Sequence, residues 1–469
     1  MPAILATIFC IVAIGVLFTL DYDRTARTSK ALWIPVVWLW IVGSRDVSQW
    51  LAEFGIGRAE RLFERPEQYL EGNALDRVVY TGLVAVGLAV LISRGPAVLA
   101  LLRSNLPILF FFGYCAFSTL WSDYSAVAFK RWAKAAGDII MVMIVLSEPN
   151  RITAVKRFLA RASFILIPVS VLLVKYYPNV GADFNFHHWN RVYTGVTTNK
   201  NFLGVICLLF GLASCWRVLM ALNARPGKKR TAQLISHAVI VGLAIWLLWM
   251  ANSMTSWACF VLAGMVMAAT SLKNVRRNPR LLHAFVATAI SVAVMTLFFD
   301  IGGGALESVG RDATLTGRTE IWNLALRLSE NPWVGTGFES FWLGKRLETV
   351  WSIMPGIQEA HNGYLEVFLN LGWFGIGLLG VMLLKGYARI WQSYRRDPSI
   401  SSLNMAFFTA AVVYNFTEAG FRMLNPIWSL FLLAVVCPEA KPTGCHRFVK
   451  IEPIKPFEAE ALNLQYTAD

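Results

Sequence analysis

Charged residues are scarce in this chain. They make up 15% of its 469 residues, against 56% hydrophobic residues and a mean hydropathy of +0.52. A soluble domain carries more charge and shorter apolar runs, so the deficit excludes an ordinary water-soluble enzyme. Acidic residues are scarcer than basic ones, 29 against 43, which leaves a formal net charge of +14. That excess sits in short clusters between apolar runs, and no nucleic-acid motif accompanies it. It is the positive-inside pattern of a membrane protein, and nucleic acid is not an expected partner. Paired cysteines are missing as well. Cys10, Cys115, Cys207, Cys215, Cys259, Cys437 and Cys445 form no CxxC and lie mainly inside apolar runs, which excludes a disulfide or zinc framework. Gly335-Thr-Gly-Phe-Glu-Ser340 lacks the third glycine and the strand context of a dinucleotide loop, and Gly227-Lys-Lys-Arg230 lacks a phosphate-loop frame. Met1–Leu20 has neither a basic leader nor a cleavage motif, and is expected to be a retained first span.

What is present is apolar length. Runs near 3–20, 31–43, 78–93, 105–120, 133–147, 158–175, 201–221, 234–251, 255–272, 284–301, 363–384, 403–419 and 426–437 approach the roughly 20 residues that cross a bilayer as helix. They are far too long for barrel strands, and lipid admits only helices or closed barrels. The expected fold is all-α: a polytopic transmembrane helical protein of about eleven to thirteen spans, one integral membrane domain over 1–437, and a cytoplasmic tail over 438–469. Arg225–Arg230, Lys273 with Arg276, Arg277 and Arg280, and Lys385 with Arg389, Arg395 and Arg396 lie in alternate connections and mark the inner side. The loops near 44–76, 176–199 and 302–362 then face outward. The last is the longest polar stretch. Within it Ile321, Leu324, Ala325 and Leu328 recur at helical spacing, which predicts a short amphipathic helix on the membrane or packed over the spans, ended by Asn331-Pro332.

The chain is organised around Ala360–Gly375, where this loop re-enters the membrane. His361 stands just before the span, with Asn362 as an N-cap candidate. The positive end of the helix dipole disfavours an imidazolium there, so the histidine is expected neutral and able to accept a proton from a hydroxyl. The alternative is a histidine that merely packs at a helix end. Arg318 in Thr-Gly-Arg-Thr-Glu-Ile-Trp, and Arg311 just before it, offer guanidinium forks suited to phosphate oxygens or, alternatively, to lipid phosphate. Arg191 lies in the second outward loop, followed by Lys200 and Asn201 at a span entrance, where cations suit an anionic ligand at a helix N-terminus. Arg131, Asn362, Glu366 and Arg422 complete the substrate-binding candidates; Arg131 and Arg422 alternatively form ion pairs that order helix ends. His187 and His188 lack further ligands at metal spacing, so no metal and no cofactor is expected. The arginines converge on an outward-facing anionic headgroup bound beside a candidate base.

These residues resemble the O-antigen ligase and polysaccharide polymerase superfamily of bacterial inner membranes. The resemblance rests on Gly-Arg-x-x-Ile-Trp from 317, Asn-Pro-x-x-Gly-x-Gly-x-x-x-Phe-Trp from 331 and His-Asn-x-Tyr-Leu from 361, with Glu71–Arg77, Trp121-Ser with Arg131, and Asn199–Gly204 in support. Exopolysaccharide-production polymerases are the most similar members. Relatives often carry histidine where this chain has Asn199. The resemblance implies a metal-independent, inverting transfer of glycan from an undecaprenyl-pyrophosphate carrier to an acceptor sugar hydroxyl, the acceptor being a glycan or lipid-linked, on the periplasmic face of the inner membrane. It implies that Arg191 and Arg318 hold pyrophosphate and that His361 serves as base or positions the acceptor. A chain-length regulator and a flippase are the partners it suggests. The competing readings are a lipid-linked glycan transporter or flippase, which predicts ionisable residues buried mid-span, and a non-catalytic subunit of an export complex.

Overall fold

In the computed structural model, the described residues are 1–23, 27–56, 70, 72–185, 190–278, 280–298 and 315–436. The expected tail over 438–469, Arg311, His187 and His188 lie outside them. The chain runs through α1 (Ala3–Asp21), α2 (Trp33–Val42), α3 (Val47–Glu53), α4 (Ala74–Ser93), α5 (Gly95–Ser104), α6 (Leu106–Ser118), α7 (Ser125–Leu146), α8 (Arg151–Tyr176) and the short α9 (Pro178–Gly181). A hairpin of β1 (Ala182–Asn185) and β2 (Asn190–Tyr193) follows, antiparallel, with Phe184 opposite Arg191. Then come α10 (Lys200–Leu222), α11 (Lys228–Ala251), α12 (Met254–Ser271), α13 (Lys273–Arg277), α14 (Arg280–Phe298), α15 (Leu315–Arg327), α16 (Gly344–Ile353), α17 (Gly363–Tyr394), α18 (Pro398–Tyr414) and α19 (Pro426–Val435).

Each apolar run of the sequence lies mostly on helix among the described residues, and the protein is an all-α polytopic membrane protein. Among the described residues, seven helices are long and apolar enough to cross a membrane, or eight if α5 and the helical stretch to Trp121, bent by 88° at Asn105, form one span. That is fewer full-length spans than the eleven to thirteen the runs suggest. Among the remainder, α2 and α19 are short helices whose apolar faces are covered by neighbours.

The centre of the bundle is α10. It is apolar on all sides and packs against α8, α11, α12, α18 and α19, as expected of a helix with no solvent face. Close approach there depends on small residues: a Cβ at Gly204 would lie 2.5 Å from Ser256 Oγ. At the edge, α1 buries only Ala6, Cys10 and Leu17 and turns the rest of its apolar surface outward.

The longest helix, α17, is broken at Gly372, whose φ of +62° only glycine adopts without strain. The Asn331–Gly337 turn docks against this break. Trp373 N–H donates to the Pro332 carbonyl at 2.8 Å, and Gly337 N–H donates to the Asn370 carbonyl at 2.9 Å. A Cβ on Gly372 would sit 2.2 Å from the Trp333 backbone, so this turn fits only against glycine. The expected amphipathic helix is α15. It packs over the spans: Ile321 and Ala325 are buried with Phe341, Leu347, Val350 and Leu369. The described part of the loop and the span therefore form one body where the chain enters α17.

Candidate functional site

The N-terminal end of α17 is fixed by its own sequence. Asn362 caps the helix, its side-chain oxygen accepting from the N–H groups of Tyr364 and Leu365 at 3.0 Å each, while its amide donates to the Phe416 carbonyl at 3.2 Å. Glu366 accepts from Ala360 N–H at 2.6 Å and from Trp342 Nε1 at 3.0 Å, with 2% exposure. Both were expected to touch substrate. Their polar atoms are instead taken by the loop they anchor, because a buried carboxylate or amide must find partners. Between them His361 is held at φ +49°.

That constraint presents His361 to two carboxylates. Its Nδ1 lies 3.1 Å from Glu359 Oε1 and 3.3 Å from Glu418 Oε2. Glu418 Oε1 in turn accepts from Arg318 at 2.9 Å and from the Asn201 amide at 3.1 Å. Glu359 Oε2 is 2.9 Å from Arg422, whose second terminal nitrogen is 3.3 Å from Glu339. Arg131 donates to the Glu339 backbone carbonyl at 2.5 Å. The result is a line of alternating charge, Arg318–Glu418–His361–Glu359–Arg422–Glu339, drawn from four separate segments. Glu418 and Glu339 are 6% and 8% exposed at the side chain, whereas His361 and Glu359 are about a third exposed, at 30% and 31%. The line thus has a buried side and an open one.

The electrostatics reverse the expected charge on His361. Burial opposes the imidazolium, but the hydrogen bonds and charges of Glu359 and Glu418 outweigh both it and the helix dipole, and push the pKa from 6.5 up to about 10. Burial likewise raises the Glu359 carboxyl, yet His361 and Arg422 beside it hold it well below the ordinary carboxylate range. In the free protein His361 is a cation between two anions.

Backbone strain gathers at the same place. Among the described residues, four non-glycine residues have positive φ in the left-handed region, and three of them are Glu339, His361 and Leu424. Each costs on the order of 1–3 kcal/mol, which surrounding structure must hold. At Leu424 the hold comes from Asp138, in the middle of α7 and fully buried, which accepts from Leu424 N–H at 3.2 Å, Trp38 Nε1 at 2.9 Å and Ser429 Oγ at 2.9 Å. This carboxylate pins the α18–α19 connection that carries Glu418 and Arg422. It is a buried mid-helix acid in a chain whose other ionisable groups lie mostly at helix ends.

A cavity of about 580 Å³ adjoins the cluster, with Arg131 and Met423 in its wall. Its lining is mixed. Asp46 accepts from Tyr80 at 2.7 Å, Asp76 accepts from Ser48 N–H at 2.9 Å, and the Lys134 ammonium lies 5.3 Å from the Tyr80 ring centre. Carboxylates, hydroxyls and an aromatic face in one concave site suit a polyhydroxylated ligand.

Of the residues singled out from sequence, Arg318, His361, Arg422, Asn201 and Arg131 come together. Lys200 opens α10 beside Asn201. Arg191 is exposed on β2 and is not among the partners of Glu418, Glu359 or Glu339. Sequence reasoning missed the three glutamates. Two had a signal in their spacing: Glu359 is two residues before His361, and Glu418 four before Arg422. Glu359, His361 and Glu418 also offer one atom each within 4.8 Å of one another, the donor set of a metal site. The same two carboxylates hold Arg318 and Arg422 through their other oxygens, so a cation would enter beside two guanidiniums and would need a neutral His361.

Two comparisons bear on this arrangement. Residues 238–380 match the family model described as O-antigen ligase, a stretch that includes Arg318, the docked turn and His361. The chain is also similar to the exopolysaccharide production protein ExoQ of Rhizobium meliloti (strain 1021), 22% identical over 302 residues. That similarity covers 61% of this chain and 66% of the relative, just under two thirds of its length. Over residues 238–380, which hold the motifs that frame the cluster, the chain is similar to the O-antigen ligase family.

Proposed function

We propose that this protein is a polymerase or ligase of exopolysaccharide or O-antigen type. It transfers glycan from an undecaprenyl-pyrophosphate carrier to an acceptor sugar hydroxyl at the outer, periplasmic face of a bacterial inner membrane. The observation that carries this reading is the line of three cations, Arg318, His361 and Arg422, held on glutamates at one end of α17 beside the 580 Å³ cavity.

In the reaction the acceptor oxygen bonds to the anomeric carbon as the bond from that carbon to the pyrophosphate oxygen breaks. The electron pair leaves with the pyrophosphate, and the hydroxyl proton passes to a carboxylate of the cluster. Direct displacement inverts the anomeric centre. The growing negative charge is the part of this transition state that most needs stabilising, and fixed cations do so without reorganising. Arg318 and the imidazolium of His361 are those cations. Glu418 holds them in place in the free protein, and pyrophosphate oxygens replace it when the donor binds. Guanidiniums supply the positive charge that a divalent ion supplies elsewhere, which favours a metal-independent reaction. The adjoining cavity receives the sugars.

The resting charge of His361 gives the experiment. Purified protein is supplied with a defined lipid-pyrophosphate glycan and turnover is followed against pH. If the imidazolium acts, the rate falls as pH rises toward about 10, where His361 titrates. A rate that instead climbs through an ordinary histidine pKa would assign His361 as the base. Absence of turnover by purified, folded protein would reject transfer altogether and favour a transporter or a non-catalytic subunit.

A further inference from the structure

At the other end of α17, a second cavity of about 450 Å³ opens between α7, α8, α17, α18 and α19. The two ends are separated by the length of a 32-residue helix, about 48 Å less the effect of its kink. Among the described residues, the polar lining of this cavity includes Arg151, Arg389 and Arg396 and no carboxylate. Its deep walls are apolar, formed by Leu146, Val155, Leu433 and Val436, all buried.

The three arginines are not equivalent. Arg389 is structural: it donates to the Asn105 side chain at 2.5 Å and to the Ser104 carbonyl, closing the break between α5 and α6. Arg151 uses Nε on the Leu146 carbonyl at 2.9 Å, and among the described residues its terminal nitrogens have no hydrogen-bond partner. The Arg396 guanidinium likewise has no hydrogen bond or ion pair among the described residues. Both are exposed at the mouth. The nearest acids in sequence are engaged elsewhere: Glu148 with Arg94 and Ser29, Asp397 as the cap of α18 through Ser399 N–H at 3.0 Å.

A soluble anion satisfies such arginines but leaves the apolar walls uncovered. A phosphate ester with an attached acyl chain satisfies both, with the phosphate between Arg151 and Arg396 and the chain along the walls. We infer that this cavity is a binding site for the phosphate headgroup of an anionic membrane lipid, on the face of the membrane opposite the His361 cluster. The inference does not depend on the transfer reaction.

The test uses the full chain in bilayer discs of phosphatidylcholine with phosphatidylglycerol, with retained lipid counted by native mass spectrometry after extraction. Wild-type protein is expected to keep phosphatidylglycerol in preference to phosphatidylcholine. The R151Q/R396Q variant is expected to bind it on the order of thirtyfold more weakly, from about fivefold per basic residue. Arg395→Gln, one residue from Arg396 but outside the cavity, is expected to behave as wild type. Equal retention by the double variant would overturn the site, as would equal loss in Arg395→Gln, which would indicate diffuse surface charge. Inorganic phosphate provides the last arm: if it raises the melting temperature in detergent as much as phosphatidylglycerol does, the lipid assignment is wrong.

Discussion

The two ends of α17 hold their cations in opposite company. At the Gly363 end, Arg318, His361 and Arg422 each sit against a glutamate, and two of those glutamates are nearly buried. At the Tyr394 end, Arg151, Arg389 and Arg396 line a cavity that has no acid among the described residues. The first arrangement keeps cations fixed, desolvated and pre-aligned while no ligand is bound, at the cost of an internal competitor that a ligand must displace. The second leaves Arg151 and Arg396 solvated and open to a permanent anionic neighbour. Preorganised charge suits a transition state whose charge appears only briefly, whereas open charge suits a resident ligand.

The largest expected effect comes from emptying the first arrangement. Arg318→Ala and His361→Ala, in protein that still reaches the membrane, should each lower polymer formation by about 10²–10⁴-fold, the range for losing an oriented charge or proton-transfer group. Polymer yield and length, measured against the amount of membrane-inserted protein, give the comparison. Substituting Arg395 at the far end should change neither. If Arg318 and His361 proved equally dispensable, the contrast between the two ends would carry no catalytic meaning.

A smaller effect follows from removing the competitor. The pKa of His361 is raised, so the stability it contributes is fully present below its ordinary value of 6.5 and is lost as pH rises through about 10. Thermal unfolding in detergent should therefore show the wild type losing stability across that window. Glu418→Gln takes one anion from His361 and Arg318, leaving the buried side of the cluster short of charge. It should start less stable, by about 3 kcal/mol, and lose less over the same window, because the His361 pKa falls back toward its ordinary value. A variant whose pH profile matched the wild type would mean that Glu418 does not govern the charge of His361.

How far the sequence revealed this arrangement depends on the range of the interactions. Helices are written locally: an apolar run specifies its own backbone pairing in lipid, and the described part of each run is mostly helix. Arg318, His361 and Arg422 were recognisable singly, because fixed charge at a membrane boundary needs a reason. Their pairing was not, since His361 meets Glu418 across 57 residues and Arg318 meets it across 100. No periodicity spans such distances. For the same reason the expected neutral histidine was reversed. The helix dipole is a local feature that sequence exposes, while the two carboxylates that overcome it arrive by folding. Asn362 and Glu366 show the converse, polar residues beside a candidate base whose atoms the local backbone had already claimed.

Arg191 gives the smallest expected effect and the finest test of the contrast. It belongs to neither arrangement, being exposed on β2 and apart from the glutamate-held line. An exposed guanidinium is screened by salt and solvent and adds little to a fixed transition-state field. It can still draw an anionic headgroup toward the cluster. Arg191→Ala should therefore raise KM by about tenfold or less with kcat nearly unchanged, and the difference from wild type should shrink as salt is added, whereas Arg318→Ala lowers kcat itself. A fall in kcat with Arg191→Ala as large as with Arg318→Ala would give a different result: the hairpin would have to close onto the cluster during turnover, adding a fourth cation only when the pyrophosphate is present to hold it.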